Sequence, residues 1–254
     1  MNIELHPRIN VENPILTNNK IILGSFPTWT LTDSQPPNKK LIILKNIERI
    51  NNGDIPFFYG SSSNQFWIWY QLFIDQNISI KNIAEIERSL MENSISITDV
   101  IISCERKEKS SLDKHLTNRT YNHSFFRYPT YGETIKILCT SKGVMNEMLL
   151  NNVFLKKHTS LSILDKESIA FQNNVIREIK GNPNNIKNPF YKILQCETGG
   201  KIECFSTPSP GSPYRKLIDF GLNTKNSKDF LNRYLSVIFK WFNLAENTKE
   251  CILQ

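Results

Sequence analysis

Four short apolar runs constrain this chain more than any other feature: KIILG (Lys20–Gly24), ISITDVII (Ile95–Ile102), TIKILCT (Thr134–Thr140) and KIECF (Lys201–Phe205). Each is too short for a buried helix and rich in β-branched residues, as expected of strands covered on both faces. Helical spacing fills the intervals. Ile83, Ile86 and Leu90 share a face within Lys81–Met91, and Leu231, Tyr234, Leu235, Ile238 and Phe242 do so near the end. Further helices are expected over Asn64–Phe73, with Ser61–Ser63 as capping candidates, over Lys142–Leu150 and around Ser168–Ile179. Tyr191–Cys196 and Lys201–Phe205 flank Thr198-Gly199-Gly200, a hairpin signal. Strands alternating with helices predict an α/β sandwich with a mainly parallel sheet.

The pattern reads as a polar N-terminal arm over 1–19 and one domain over 20–254, with an insertion at about 151–188. Thr28–Asn38 is loop-like, and Ser103–Tyr131 is a polar stretch too long for a plain connection, which marks it as a functional loop. A 39% hydrophobic content supplies a real core, and 31 Lys+Arg against 24 Asp+Glu give a net charge of +7. Such a basic surface suits a polyanion, because Lys and Arg that neutralise phosphates release counterions. The five cysteines (Cys104, Cys139, Cys196, Cys204, Cys251) are odd in number and form no C-x-x-C, so reduced thiols are expected, with no metal site. No secretory h-region and no run of ~20 apolar residues is present, and the expectation is a cytoplasmic monomer. Without a Walker or G-x-G-x-x-G loop, no nucleotide cofactor is expected.

Three loops follow predicted strands, where open α/β sheets place their sites. They are GSFPTW (Gly24–Trp29), the segment from Asp99 through Ser111-Leu112-Asp113 to Asn122-His123, and TPSPGSPYR (Thr207–Arg215). With FFYGSSSNQFW (Phe57–Trp67), their order resembles the uracil-DNA glycosylase superfamily, and within it the family 6 or hypoxanthine-DNA glycosylase branch. The resemblance rests on Gly24-Ser25-Phe26-Pro27, on Tyr59, Gly60, Asn64, Phe66 and Trp67, and on Asp99, Val100, Ser103 and Cys104. It continues through Ser111-Leu112-Asp113 and the Pro-Ser-rich loop Pro208, Ser209, Pro210, Ser212 and Pro213. It implies a three-layer sandwich and a monofunctional DNA glycosylase. This chain departs from the superfamily at Phe26, where fast uracil hydrolases carry Asp, and at Thr207, where they carry His. Ser61-Ser62-Ser63 stand in place of His-Pro-Arg, and Gly211 in place of a wedging Leu.

Such chemistry assigns roles. A flipped base must be stacked and its edge read, for which Ser25, Phe26, Tyr59, Asn64 and Phe66 are the candidates; Phe66 and Trp67 also fit core packing. Hydrolysis needs a positioned water, a task for Asn122, which falls where the resembling branch carries its key Asn. Asp99, a carboxylate ending an Ile-rich strand, is costly to bury unless paired or used. Asp113 reads as a helix cap. Ser209, Ser212, Tyr214, Arg215 and Lys142 are the expected DNA contacts. The expected substrate is DNA with a deaminated or modified base, in repair or in defence against foreign DNA. The alternative is a glycosylase-fold DNA-binding protein without catalysis.

Overall fold

The three residues Ile21, Ile22 and Leu23 are all fully buried, although successive side chains of a strand point to opposite faces. The strand that holds them, β2 (Lys20–Gly24), is therefore covered on both sides. The computed structural model describes residues 3–9, 16–28, 32, 53–108, 112–158, 160–186, 188–215, 217–221 and 227–244. Around β2 stand β3 (Ile95–Asp99), β6 (Thr134–Cys139), β7 (Leu161–Ile163), β8 (Tyr191–Cys196) and β9 (Lys201–Ser206), ordered β3-β2-β6-β9-β8-β7. The first four of these are mutually parallel; β8 and β7 continue the sheet in antiparallel sense.

On one face Ile22, Leu138 and Phe205 pack under α1 (Phe66–Phe73), α2 (Ile83–Glu92), α4 (Asp165–Glu178) and α5 (Ser227–Asn243). On the other, Ile21, Leu23, Ile137 and Cys204 pack under α3 (Gly143–Phe154) and a small second sheet. The result is an α/β sandwich of three layers with a mostly parallel centre. Lys136, 2% exposed within β6, donates from Nζ to the carbonyls of Trp241 and Leu244, both at 2.7 Å. It thereby satisfies carbonyls that the end of α5 leaves without a partner.

The run Ile95–Ile102 is two strands rather than one. After Asp99 the chain leaves the central sheet, and β4 (Ile101–Arg106) enters the antiparallel sheet β1-β4-β5. Its other members are β1 (Ile3–Leu5), from the N-terminal arm, and β5 (Leu116–Tyr121). Two parts of the polar stretch 103–131, the end of β4 and all of β5, are thus strand. The reason it reads as loop is that β5 buries only Leu116 fully, so no apolar alternation marks it. The helix expected over Lys142–Leu150 runs on to Phe154 and is wound wide, the Leu155 N–H reaching back five residues to the Leu150 carbonyl. Ser61–Ser63 do not cap α1; Asn64 Oδ1 accepts the Phe66 N–H at 2.9 Å instead. The stretch 151–188 contributes β7 and α4, built into the sheet and its helical layer. Most of Thr28–Asn38 lies outside the described residues, as does Cys251; Cys104, Cys139, Cys196 and Cys204 are free and buried. No helix among the described residues is long and apolar enough to cross a membrane.

Candidate active site

The chain leaves β2 to form β3 on one side and later returns to place β6 on the other, so the order reverses at β2. Open α/β sheets bind ligands outside the carboxyl ends of the strands at such a point. Those ends here are Gly24, Asp99, Cys139 and Ser206, with Gly24 paired to Asp99 and Cys139 to Ser206.

Asp99, 2% exposed, is held at both oxygens. Its Oδ2 lies 2.9 Å from His6 Nε2, and its Oδ1 lies 3.2 Å from the Tyr59 hydroxyl, which is also 3.1 Å from the Thr98 carbonyl. His6 Nδ1 accepts the Arg8 and Ile9 N–H groups, each at 3.0 Å, so the ring proton belongs on Nε2 and donates to Asp99. Burial, and then the Asp99 charge, pushes the Tyr59 phenol well above its ordinary pKa, which keeps it a donor. Tyr59 sits at φ +56°, in the left-handed region, and Gly24 leaves the space its ring fills.

The Gly24–Pro27 loop is braced from beneath. Arg106 Nε bonds Glu4 at 3.0 and 3.2 Å, and its Nη2 donates to the Pro27 carbonyl at 3.0 Å. Thr32 Oγ1 donates to Glu4 at 2.7 Å. Phe26 is buried, edge-on to the His6 ring with centroids 5.8 Å apart. Ser25 is half-buried, and its carbonyl accepts the Ile101 N–H at 3.0 Å. Asn122, just beyond β5, donates its N–H to the Val100 carbonyl at 2.8 Å. That bond ties its backbone to the residue after Asp99, while its Oδ1 accepts the Ser124 N–H at 3.3 Å.

Beyond β9 the Thr207 N–H donates to Cys139 O at 3.0 Å, and Pro210 O accepts the Gln65 N–H at 3.1 Å. The last loop therefore touches both β6 and the aromatic segment. Ser206 and Thr207 are fully buried, with hydroxyls that find no hydrogen-bond partner among the described residues. Ser209, Ser212, Tyr214 and Arg215 are exposed along the rim.

Hydrogen bonds thus join Tyr59 to Asp99, the Ser25 carbonyl to Ile101 and the Asn122 backbone to Val100, with Phe26 against His6, while the exposed Ser209, Ser212, Tyr214 and Arg215 lie on the loop that meets Gln65 through Pro210. Three expected site residues are used otherwise. Phe66 is fully buried, packed on Tyr59 at 4.9 Å and on Phe239 at 6.4 Å, which makes it core. Asn64 spends its carboxamide oxygen on the start of α1. Lys142 donates to the carbonyls of Asn188 and Asp219 and lies 3.9 Å over the Phe220 ring, and burial lowers its pKa to about 8. Its ammonium is engaged within the protein. One residue was not foreseen: His6, hidden in a polar arm with only the neighbouring Pro7-Arg8 to draw notice. Asp113, read as a cap, opens the turn Asp113–His115 without a side-chain capping bond. Compared with known proteins, the chain matches no family model, no curated protein and no solved structure.

Proposed function

We propose that this protein is a monofunctional DNA glycosylase that hydrolyses the N-glycosidic bond of a flipped deaminated or otherwise modified base. One observation carries the reading. Loops distant in sequence, after β2, β3 and β9, meet at the carboxyl edge of the sheet where strand order reverses, and the aromatic segment joins them through Gln65 and Pro210. Flipping a base costs a few kcal/mol, and a rim that grips the strand offsets it. Ser209, Ser212 and Arg215 are placed for phosphates and Tyr214 for the gap in the stack. Ser25, Phe26 and Tyr59 face the base, and Asn122 orients water. Asp99, with both oxygens engaged, is a positioning residue that fixes Tyr59 and His6. The net charge of +7 supports a polyanionic partner. A cytoplasmic monomer in repair or defence fits this reading.

The test is base release from oligonucleotides carrying uracil, hypoxanthine, xanthine or modified cytosines, read as alkaline cleavage of the abasic product. Wild type and Asn122→Ala are compared; release by the former and its loss in the latter is the expected result. Binding to DNA without release from any of them overturns it in favour of a second reading, a DNA-binding protein of this architecture without catalysis. What favours that second reading is the complete engagement of Asp99 by the protein itself.

A further inference from the structure

The N-terminal arm meets the candidate site through two inward-facing residues, two positions apart. β1 runs beside β4, and the His6 N–H carries the ladder on to the Ile102 carbonyl at 2.9 Å. Glu4 and His6 are accordingly buried, while Ile3 and Leu5 stay exposed. His6 fixes Asp99, which in turn holds the Tyr59 hydroxyl. Glu4 accepts Arg106 Nε at both carboxylate oxygens and the Thr32 hydroxyl at one, and Arg106 Nη2 reaches the Pro27 carbonyl at 3.0 Å. Farther along the arm, Arg8 donates to the Pro56 carbonyl at 2.8 Å and lies 4.6 Å over the Phe57 ring. The arm thus reaches the loop after β2, the end of β3 and the aromatic segment. Phe26 stands where its first two lines of contact meet, 5.8 Å from the His6 ring and 5.8 Å from the Arg106 guanidinium carbon.

We propose that Glu4 and Arg106 are positioning residues, and that through them the N-terminal arm sets the Gly24–Pro27 loop in its working geometry. The inference rests on the glycosylase reading for the reaction that this loop serves. The loop is tied at three carbonyls. Gly24 and Ser25 accept the Val100 and Ile101 N–H groups at 2.9 and 3.0 Å, and Pro27 accepts Arg106. Proline brings no N–H of its own, so the Arg106 bond holds the far end of the turn at the one backbone polar group that Pro27 offers. Phe26 is thereby fixed from both flanks.

The chemistry of the pair suits this task. A planar guanidinium bonds a carboxylate and a carbonyl at once from different nitrogens, in a fixed geometry that an ammonium lacks. The Arg106 and Glu4 side chains are only 3% and 8% exposed, so loss of the Glu4 charge leaves a buried cation beneath the loop. Both residues act on the site through Pro27 and Phe26. A displacement of about 1 Å at a positioning loop can cost on the order of 100-fold in rate.

The deciding experiment compares wild type, Arg106→Lys and Glu4→Gln by amide hydrogen exchange and by single-turnover base release. Arg106→Lys keeps a charge for Glu4 but lacks the second donor that reaches Pro27. Its Ile101 amide, bonded to the Ser25 carbonyl, is expected to exchange about 10-fold faster or more. The Thr140 amide, bonded to the Leu23 carbonyl at 3.0 Å, should keep its wild-type rate. Base release should fall by about 10- to 100-fold at unchanged oligonucleotide Kd. Glu4→Gln removes the charge that holds the guanidinium and should show the same pattern; if Arg106→Lys does not fold, it decides by the same two readouts. Equal acceleration at Ile101 and Thr140 assigns the pair to global stability and overturns the proposal. Release within about threefold of wild type, or a loss that lies in Kd, overturns it as well and leaves the glycosylase standing. Wild type that releases no base removes the glycosylase reading, and the exchange pattern then decides alone whether the arm sets the loop.

Discussion

His6 Nε2 lies 2.9 Å from Asp99 Oδ2 across 93 positions of sequence, and the bond fastens the residue after β1 to the last residue of β3. Both side chains are buried, and His6 Nδ1 is satisfied by two main-chain N–H groups, so the ring has no second arrangement that keeps all its bonds. A buried hydrogen bond to a charged group contributes about 1.5–3 kcal/mol. His6→Ala should therefore lower the unfolding free energy by about 2–3 kcal/mol in urea, with His6→Gln, which retains a donor, losing less. A loss below about 0.5 kcal/mol for His6→Ala would sink the idea that this bond anchors the arm.

Gly24 faces Asp99 in register, and a Cβ there would lie 2.2 Å from Asp99 Oδ1 and 2.3 Å from Tyr59 Cε1. Neither neighbour can retreat, because Asp99 is tied to His6 and Tyr59 to Thr98 and Asp99. Gly24→Ala is predicted to destabilise by about 1–3 kcal/mol, the usual range for overpacking, and to reduce base release more than global stability explains. Thermal unfolding and single-turnover release on the same sample check this. A variant with wild-type Tm and rate would mean that the site tolerates movement of the Asp99 carboxylate.

The central sheet was legible because its strands carry continuous apolar runs, and α2 and α5 because their apolar residues repeat at helical spacing. Both signals come from burial on defined faces. The small sheet was not legible for the same reason. β5 buries Leu116 alone, and β1 is three residues long in a polar arm, so neither has a period to read. Loop order located the site, yet not the use of each side chain in it. Phe66 and Tyr59 are equally aromatic in sequence, and only the packing of α1 on α5 separates core from rim. His6 and Asp99 are 93 positions apart, and no local pattern joins such a pair.

Glu133 gives a pH test away from the site, since it precedes β6 at the amino end of the sheet. Hydrogen bonds from Arg127, and further ones from the Thr130 N–H and Asn19, outweigh its partial burial and hold its pKa down at about 2 against the ordinary 4.5. A depressed carboxylate adds stability that is complete above the unfolded-state value and fades as pH falls through the folded one. The stability gap between wild type and Glu133→Gln should accordingly be steady above pH 4.5 and shrink from there toward pH 2. With Arg127 one-third exposed, the steady gap is expected to be about 1 kcal/mol. Urea midpoints across that range measure it, and a gap that widens on acidification would contradict the sign.

Phe66 and Arg215 separate the two uses of residues around this edge, because one is fully buried and the other exposed beyond β9. Phe66→Ala opens a cavity between α1 and Phe239 and should cost about 3–5 kcal/mol of stability, with DNA affinity of the folded fraction little altered. Arg215→Ala should leave Tm unchanged. If its guanidinium meets a phosphate, one counterion fewer is released on binding, and the slope of log K against log salt falls by about 1. The two measurements are independent: a titration over several salt concentrations reads the rim, and a denaturation curve reads the core. An unchanged salt slope for Arg215→Ala would take that residue out of the DNA contact and leave the exposed loop after β9 to Ser209, Ser212 and Tyr214.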